Sequence, residues 1–142
     1  MAASAKAYDA FGETLGLKGY TASLHGTTAL KIALYTNATA PTQADTAAAG
    51  LTEVSNANGY STGGATLASV TCAKSNHVVT LDAADPSWTV TGAGFTYRYA
   101  RIYDATATKN IAYIDFGADV VATAGTHTIT LHASGIATIT AT

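Results

Sequence analysis

The sequence predicts a mainly β protein: a single antiparallel β-sandwich domain, jelly-roll-like, with a short N-terminal helix. Three observations predict it. Apolar and polar residues alternate over short runs, which is the period of a half-buried strand. From residue 65 onward, turn-forming residues interrupt the chain at short spacing, the punctuation of a sandwich or barrel. Thr fills many alternate positions, as in Thr126-His127-Thr128-Ile129-Thr130-Leu131, and a branched Thr suits a pleated outer face without adding charge. At 142 residues the chain fits one domain, 1–142, able to bury a core without disulfides or metals. Residues 1–28 are expected as the helix or an arm, and 29–142 as the sandwich.

The elements follow in order. Residues 2–15 are rich in Ala, and Tyr8, Phe11 and Leu15 fall three to four apart, one apolar helical stripe that Gly16 ends. Residues 19–28 read as irregular. Over 30–36, Leu30, Ile32 and Leu34 share one face and Lys31, Ala33 and Tyr35 the other, so a strand with one buried face is predicted. Asn37 to Pro41 is turn-rich. Ala dominates 43–51, which predicts one or two helical turns. Asn58-Gly59 and Gly63-Gly64 make 53–64 a loop. Strands are predicted at 65–73, 77–82, 87–91, 95–104, 110–116, 126–133 and 136–141. Between them stand Ser75-Asn76, Asp85-Pro86, Gly92 to Gly94, Thr106 to Lys109, Gly117, Gly125 and Ser134-Gly135. No internal repeat of useful period is present.

Charge is the most informative bulk property. Charged residues make up 11% of the chain, against about 25% in an average soluble domain. A folded monomer of this mass exposes roughly 6,800 Å² by size scaling, and seven basic with nine acidic side chains cannot dominate that area. Ala, Thr, Ser and Gly cover much of it instead. Such a surface is cheap to desolvate, which points to burial against copies of itself or another protein. A low-charge secreted β-domain is the plainer reading. With net charge −2 and scattered basic residues, no nucleic-acid partner is expected. Val120 to Thr142 lacks charge, but Thr, His, Ser and Gly interrupt it throughout, so no membrane association is expected either. Met1 to Gly16 has no signal-peptide pattern, and synthesis and assembly in the cytoplasm are expected.

A search for chemistry leaves little. There is no phosphate loop ending in Lys-Ser or Lys-Thr and no Gly-x-Ser-x-Gly. His127 and His132 are five apart and would face opposite sides of one strand; the histidines read as surface or packing residues. Cys72, in an apolar run, reads as an inert thiol. Asp82 and Asp85 read as turn chemistry beside Pro86, with a Ca²⁺ site as the alternative. No catalytic residue, cofactor or metal is expected, and the chain is predicted not to be an enzyme. On a regular strand over 95–104, Tyr97, Tyr99, Arg101 and Tyr103 share one face. Either that face is an outward aromatic stripe, of the Tyr and Arg type that anchors interfaces, or it is the core face.

Several segments carry a resemblance. Lys31-Ile32-Ala33-Leu34-Tyr35-Thr36 is followed by Glu53-Val54-Ser55 with Gly59-Tyr60 and Gly63-Gly64. Pro86-Ser87-Trp88 comes next, then Ala100-Arg101-Ile102-Tyr103-Asp104 and Ala112-Tyr113-Ile114-Asp115-Phe116-Gly117. In that order, and with Tyr8 to Phe11 as an opening helix, the chain resembles a family of small tailed-bacteriophage virion structural proteins, variously capsid decoration (cement) or tail-fibre-like. The resemblance implies a part of the virion and carries over no catalytic residue. Tyr60 joins Tyr97, Tyr99, Arg101 and Tyr103 as a candidate interface residue, because its loop is either a rigid closure of the sandwich or a capsid contact.

The function so implied is a decoration protein on the outer surface of an icosahedral head, stabilising contacts between major capsid protein subunits. Its expected partners are the major capsid protein and itself, as a homotrimer or else a dimer. The alternative is a host-binding protein associated with a tail or head fibre, although the chain has neither repeat nor heptad for a shaft. A glycan-active enzyme with dispersed carboxylates is a third, remoter reading.

Overall fold

The computed structural model describes residues 6–7, 30–48, 50–75, 78–106 and 108–140. Their regular structure is strand: β1 (Lys6–Ala7), β2 (Leu30–Tyr35), β3 (Ala65–Thr66), β4 (Thr71–Ser75), β5 (Val78–Asp82), β6 (Ser87–Val90), β7 (Phe95–Asp104), β8 (Lys109–Ala122), β9 (Gly125–Thr128) and β10 (Ala137–Thr140). These make a five-stranded sheet in the order β1-β8-β7-β2-β3, a three-stranded sheet β10-β5-β4 and the pair β6-β9. Every pairing is antiparallel. The mainly β expectation therefore holds, and no helix occurs among the described residues.

The N-terminal helix needs correcting where it can be seen. Lys6 and Ala7 are extended and pair with Tyr113 and Ala112 of β8. An open strand edge offers a row of unpaired backbone groups, and that tertiary demand overrides a weak local helix preference. The rest of the expected helix lies outside the described residues. The helical turns expected at 43–51 are instead a string of turns. Asp45 accepts hydrogen bonds from the Thr42 N–H (2.8 Å) and the Thr42 hydroxyl (2.9 Å). Side-chain bonds of this kind compete with helix formation.

The strand expected at 65–73 divides into β3 and β4. Leu67 and Val70 are both buried and Ser69 takes a left-handed φ of 51°, so the chain turns from one sheet into another between them. Strand β8 runs past Gly117, which the sequence marks as a stop. Conversely, the strand expected at 126–133 ends at Thr128 and the one expected at 136–141 begins at Ala137, because 129–136 leaves the ladder while Ile129, Leu131 and Ile136 are buried; residue 141 lies outside the described residues.

The core draws on all three sheets. Leu30, Ile32 and Leu34 of β2 meet Leu81 of β5, Trp88 and Val90 of β6, Phe95 and Tyr97 of β7 and Ile114 of β8. Each such side chain contributes about 1.5–3 kcal/mol by leaving water. A two-stranded pair is marginal alone, so β6 and β9 depend on docking Trp88 and Val90 into this core. The other face of β2, where Ala33 and Tyr35 lie, is also buried, against Tyr99. Lys31 remains half-buried.

Gly64 sits where the chain turns to lay β3 on β2. Its φ is +73°, and a Cβ there would run into the Ile32 carbonyl. Gly64→Ala is expected to lower stability by roughly 2–4 kcal/mol, from left-handed strain plus overpacking. Urea unfolding checks this: the midpoint should fall with little change in slope.

Candidate functional site

The candidate residues on β7 are distributed by an irregularity in its ladder. Tyr97 pairs with Val120 and Tyr99 with Asp115, so Phe116 to Asp119 bulge out of β8, with Gly117 at φ +80°. Before the bulge, Phe95 and Tyr97 face the main core; after it, Ala100 and Ile102 do. Tyr99 and Tyr103 then lie on the opposite side with Ala33 and Tyr35. The single face expected for Tyr97, Tyr99, Arg101 and Tyr103 is thus corrected: the bulge inverts the alternation and separates Tyr97 from the other three.

Tyr97 is buried in the chain's own core. Its hydroxyl meets His127 Nε2 at 2.7 Å, and its ring is edge-on to Phe116 at 5.2 Å between centroids. Burial pushes the Tyr97 phenol up to about 12. Burial also lowers the pKa of His127, whose cation would lose water. Tyr60 is equally interior, 2% exposed, with its ring 5.5 Å from that of Phe95. Both side chains belong to the chain's own core cluster.

What holds Tyr60 is Glu53, a residue the sequence reading named only as the start of a segment. One carboxylate oxygen, Oε1, accepts the Tyr60 hydroxyl at 2.7 Å and the Gly63 N–H at 2.6 Å. The Tyr60 oxygen in turn accepts the Leu34 N–H at 2.9 Å. Burial, and then the hydrogen bond to Glu53, raise the Tyr60 phenol far above its ordinary value. Two of these bonds brace the loop internally and the third ties it to β2, where the Val54 N–H also donates to the Leu34 carbonyl at 2.9 Å, so the geometry is that of a rigid closure.

Arg101 is the centre of the remaining cluster. Its guanidinium carbon lies 4.0 Å from the Tyr103 ring centroid and 5.7 Å from that of Tyr35. Nη1 donates to Asn110 Oδ1 at 2.8 Å, and Asn110 Nδ2 donates to the Asp45 carbonyl at 2.9 Å. Tyr103 donates its hydroxyl to the Gly63 carbonyl at 2.8 Å, joining the cluster to the Glu53 loop. Arg101 Nε is buried without a hydrogen-bond partner. Burial raises the Tyr35 and Tyr103 phenols, and the neighbouring Arg101 charge opposes the rise in both. Leu51 and Ala48 flank the group. Beside it, Arg98 pairs with Asp115 at 3.2 Å and lies 5.4 Å from the Tyr99 ring centroid. The arrangement is a half-buried cation stacked between phenols, chemistry able to meet acceptors or a carboxylate. Tyr35, Asn110 and Asp45 were missed in the sequence. Only Tyr35 gave a signal there, as the last residue on the second face of β2.

The other sequence candidates have local roles. Asp82 accepts the Ala83 N–H and Asp85 the Leu131 N–H, at 2.9 and 2.8 Å. His132 Nδ1 accepts the Ser134 N–H at 3.1 Å. Cys72 is a free thiol, half-buried on β4. No helix among the described residues is long and apolar enough to cross a membrane.

Compared with protein-family models, with curated proteins and with solved structures, the chain has no match in any of the three.

Two outcomes test this geometry. Glu53→Ala strands the Tyr60 hydroxyl and the Gly63 N–H, at roughly 1–3 kcal/mol for each buried group left unpaired, read as a lowered urea midpoint. The second concerns pH. The folded state holds His127 below its ordinary value of 6.5, so the unfolded chain binds the proton first as pH falls. The stability is therefore full above the unfolded value and erodes below it. His127→Gln should lose less stability than the parent between about pH 7 and about pH 5, measured by thermal melts across that range.

Proposed function

We propose that this chain is a non-enzymatic bacteriophage capsid decoration protein. It binds the outer surface of an icosahedral head and bridges major capsid protein subunits there. We read the three sheets around their shared core as a single jelly-roll-like sandwich domain, and the particle-bound form as a homotrimer.

One observation carries the reading: exposed strand positions bear hydroxyls where a free-standing surface would bear charges. Ser87 and Thr89 on β6, Thr96 on β7, and Thr126 and Thr128 on β9 are all exposed. Val121, 62% exposed, adds an apolar point on β8. Such a surface gives up water at little cost, and a cement protein must cover joints between subunits with many modest contacts. The Arg101–Tyr103 stack supplies an anchor of the type that dominates interface energies. The resemblance to tailed-phage virion proteins agrees with this assignment and supplies the partner.

The test is the copy number of this chain per major capsid protein in purified particles, by quantitative mass spectrometry. A ratio near one, or a simple fraction set by the shell's symmetry axes, is expected. A few copies per particle would overturn the reading and move the protein to the tail or neck. In a reconstitution on undecorated heads, Arg101→Ala should weaken binding about ten-fold or more, the loss of one anchor residue.

A further inference from the structure

Where β2 exits and β7 begins, the surface is indented by two adjoining cavities of about 250 and 210 Å³ that share Thr36 and Thr96. The first is lined further by Val54, Ser55, Asn58 and Phe95, the second by Asn37, Tyr97 and Asp119. Together they form one groove, separate from the Arg101 cluster. We propose that this groove binds a neutral saccharide.

The lining has the chemistry for one. Thr36, Ser55 and Thr96 bring hydroxyls, each able to donate and accept, as sugar hydroxyls do. Asn37 and Asp119, which are 82 positions apart, meet through a 2.9 Å bond from Asn37 Nδ2 to Asp119 Oδ2. That bond uses one polar atom of each planar group. The second, Oδ1 in both, has no other hydrogen-bond partner among the described residues. A carboxylate next to an amide offers neighbouring acceptors to a vicinal diol, and bonds to an ionised acceptor are the stronger kind. Beneath the polar rim lie the buried Val54, Phe95 and Tyr97, an apolar floor for the C–H face of a ring. Among the described residues no Lys, Arg or His lines either cavity; the charge of Arg98 reaches Asp119 from outside the lining, and the Asp119 carboxylate repels anions. Phosphorylated and acidic ligands are disfavoured on that ground.

The groove is also held in shape before any ligand arrives, which limits the ordering cost of binding. The β8 bulge that inverts the β7 alternation also carries Asp119 to Asn37. Asp115, at the root of the bulge, accepts the Gly117 N–H at 2.8 Å. On the other wall, Asn58 takes a left-handed φ of 55° and donates from Nδ2 to the Gly94 carbonyl at 2.7 Å. Thr36 and Val54 are fixed by backbone bonds to Thr52 and Leu34, both at 2.9 Å. Bulges recur beside functional sites because they re-aim side chains, and Asp119 is re-aimed in this way.

The inference goes beyond the decoration reading and does not need it. The full chain is applied to a broad array of oligosaccharides with neutral and acidic members, and the strongest neutral member is then titrated in solution. Binding to neutral members is expected, weakened at least ten-fold by Asp119→Asn and by Thr96→Val, each checked for an unchanged melting temperature. Thr96 is exposed, so its variant keeps the test open if Asp119→Asn fails to fold. Arg101→Ala should leave saccharide binding unchanged, which separates this groove from the capsid anchor. No binding to any neutral member, binding to acidic members alone, or binding that both groove variants retain would overturn the proposal.

Discussion

Between Tyr97 and Tyr99 one strand advances two residues while its antiparallel partner advances five. The surplus has to leave the plane of the sheet, and Gly117 permits the turn. Before this point odd-numbered residues of β7 face the core; beyond it even-numbered ones do. Without the slip, Tyr99, Arg101 and Tyr103 would follow Tyr97 into the apolar interior. An arginine there would have to shed its water with no carboxylate to meet it, a cost of several kcal/mol. The slip therefore sets what the central sheet can show on its second face.

Loop 53–64 depends on the same sheet from the other side. Glu53 gathers Tyr60 and Gly63, and Tyr60 passes the tie on to the backbone of Leu34. A carboxylate that accepts two donors can be kept at a half-buried position because its charge is met by hydrogen bonds. The loop then offers the Gly63 carbonyl to Tyr103, which carries the Arg101 stack. Loop, central sheet and candidate anchor are one connected polar network laid over an apolar core. Disturbing the network at Glu53 should be felt at Tyr103, because networks of this kind are cooperative.

The low charge of the chain shows in two places. On β6 and β9 it leaves exposed hydroxyls. In the groove beside β7 hydroxyls converge with one amide–carboxylate pair, the kind of convergence on which the proposed site rests. The few charges present are placed economically: Arg98 is paired with Asp115, Arg101 is stacked on Tyr103, and Glu53 is spent on the loop.

Local chemistry made much of the fold legible. Period-two alternation located β2, Gly92 to Gly94 and Thr106 to Lys109 marked the ends of β7, and Asp85-Pro86 and Gly92 to Gly94 marked those of β6, because strand faces and turns are set by residues a few positions apart. The Glu53 to Gly64 segment stood out as a loop through its glycines. Legibility failed wherever a distant partner decided the outcome. Gly117 looks like a stop until β7 lies alongside it. Lys6 and Ala7 look helical until the edge of β8 is there to pair with. Tyr97 and Tyr99 look equivalent until the register slip divides them, and Asn37 has no visible connection to Asp119. By itself the sequence determined the β character, the turns that bound β6 and β7, and the low charge of the chain. The tertiary structure decided which face each Tyr occupies and which side chains converge, because register is a property of a strand pair and no single strand contains it.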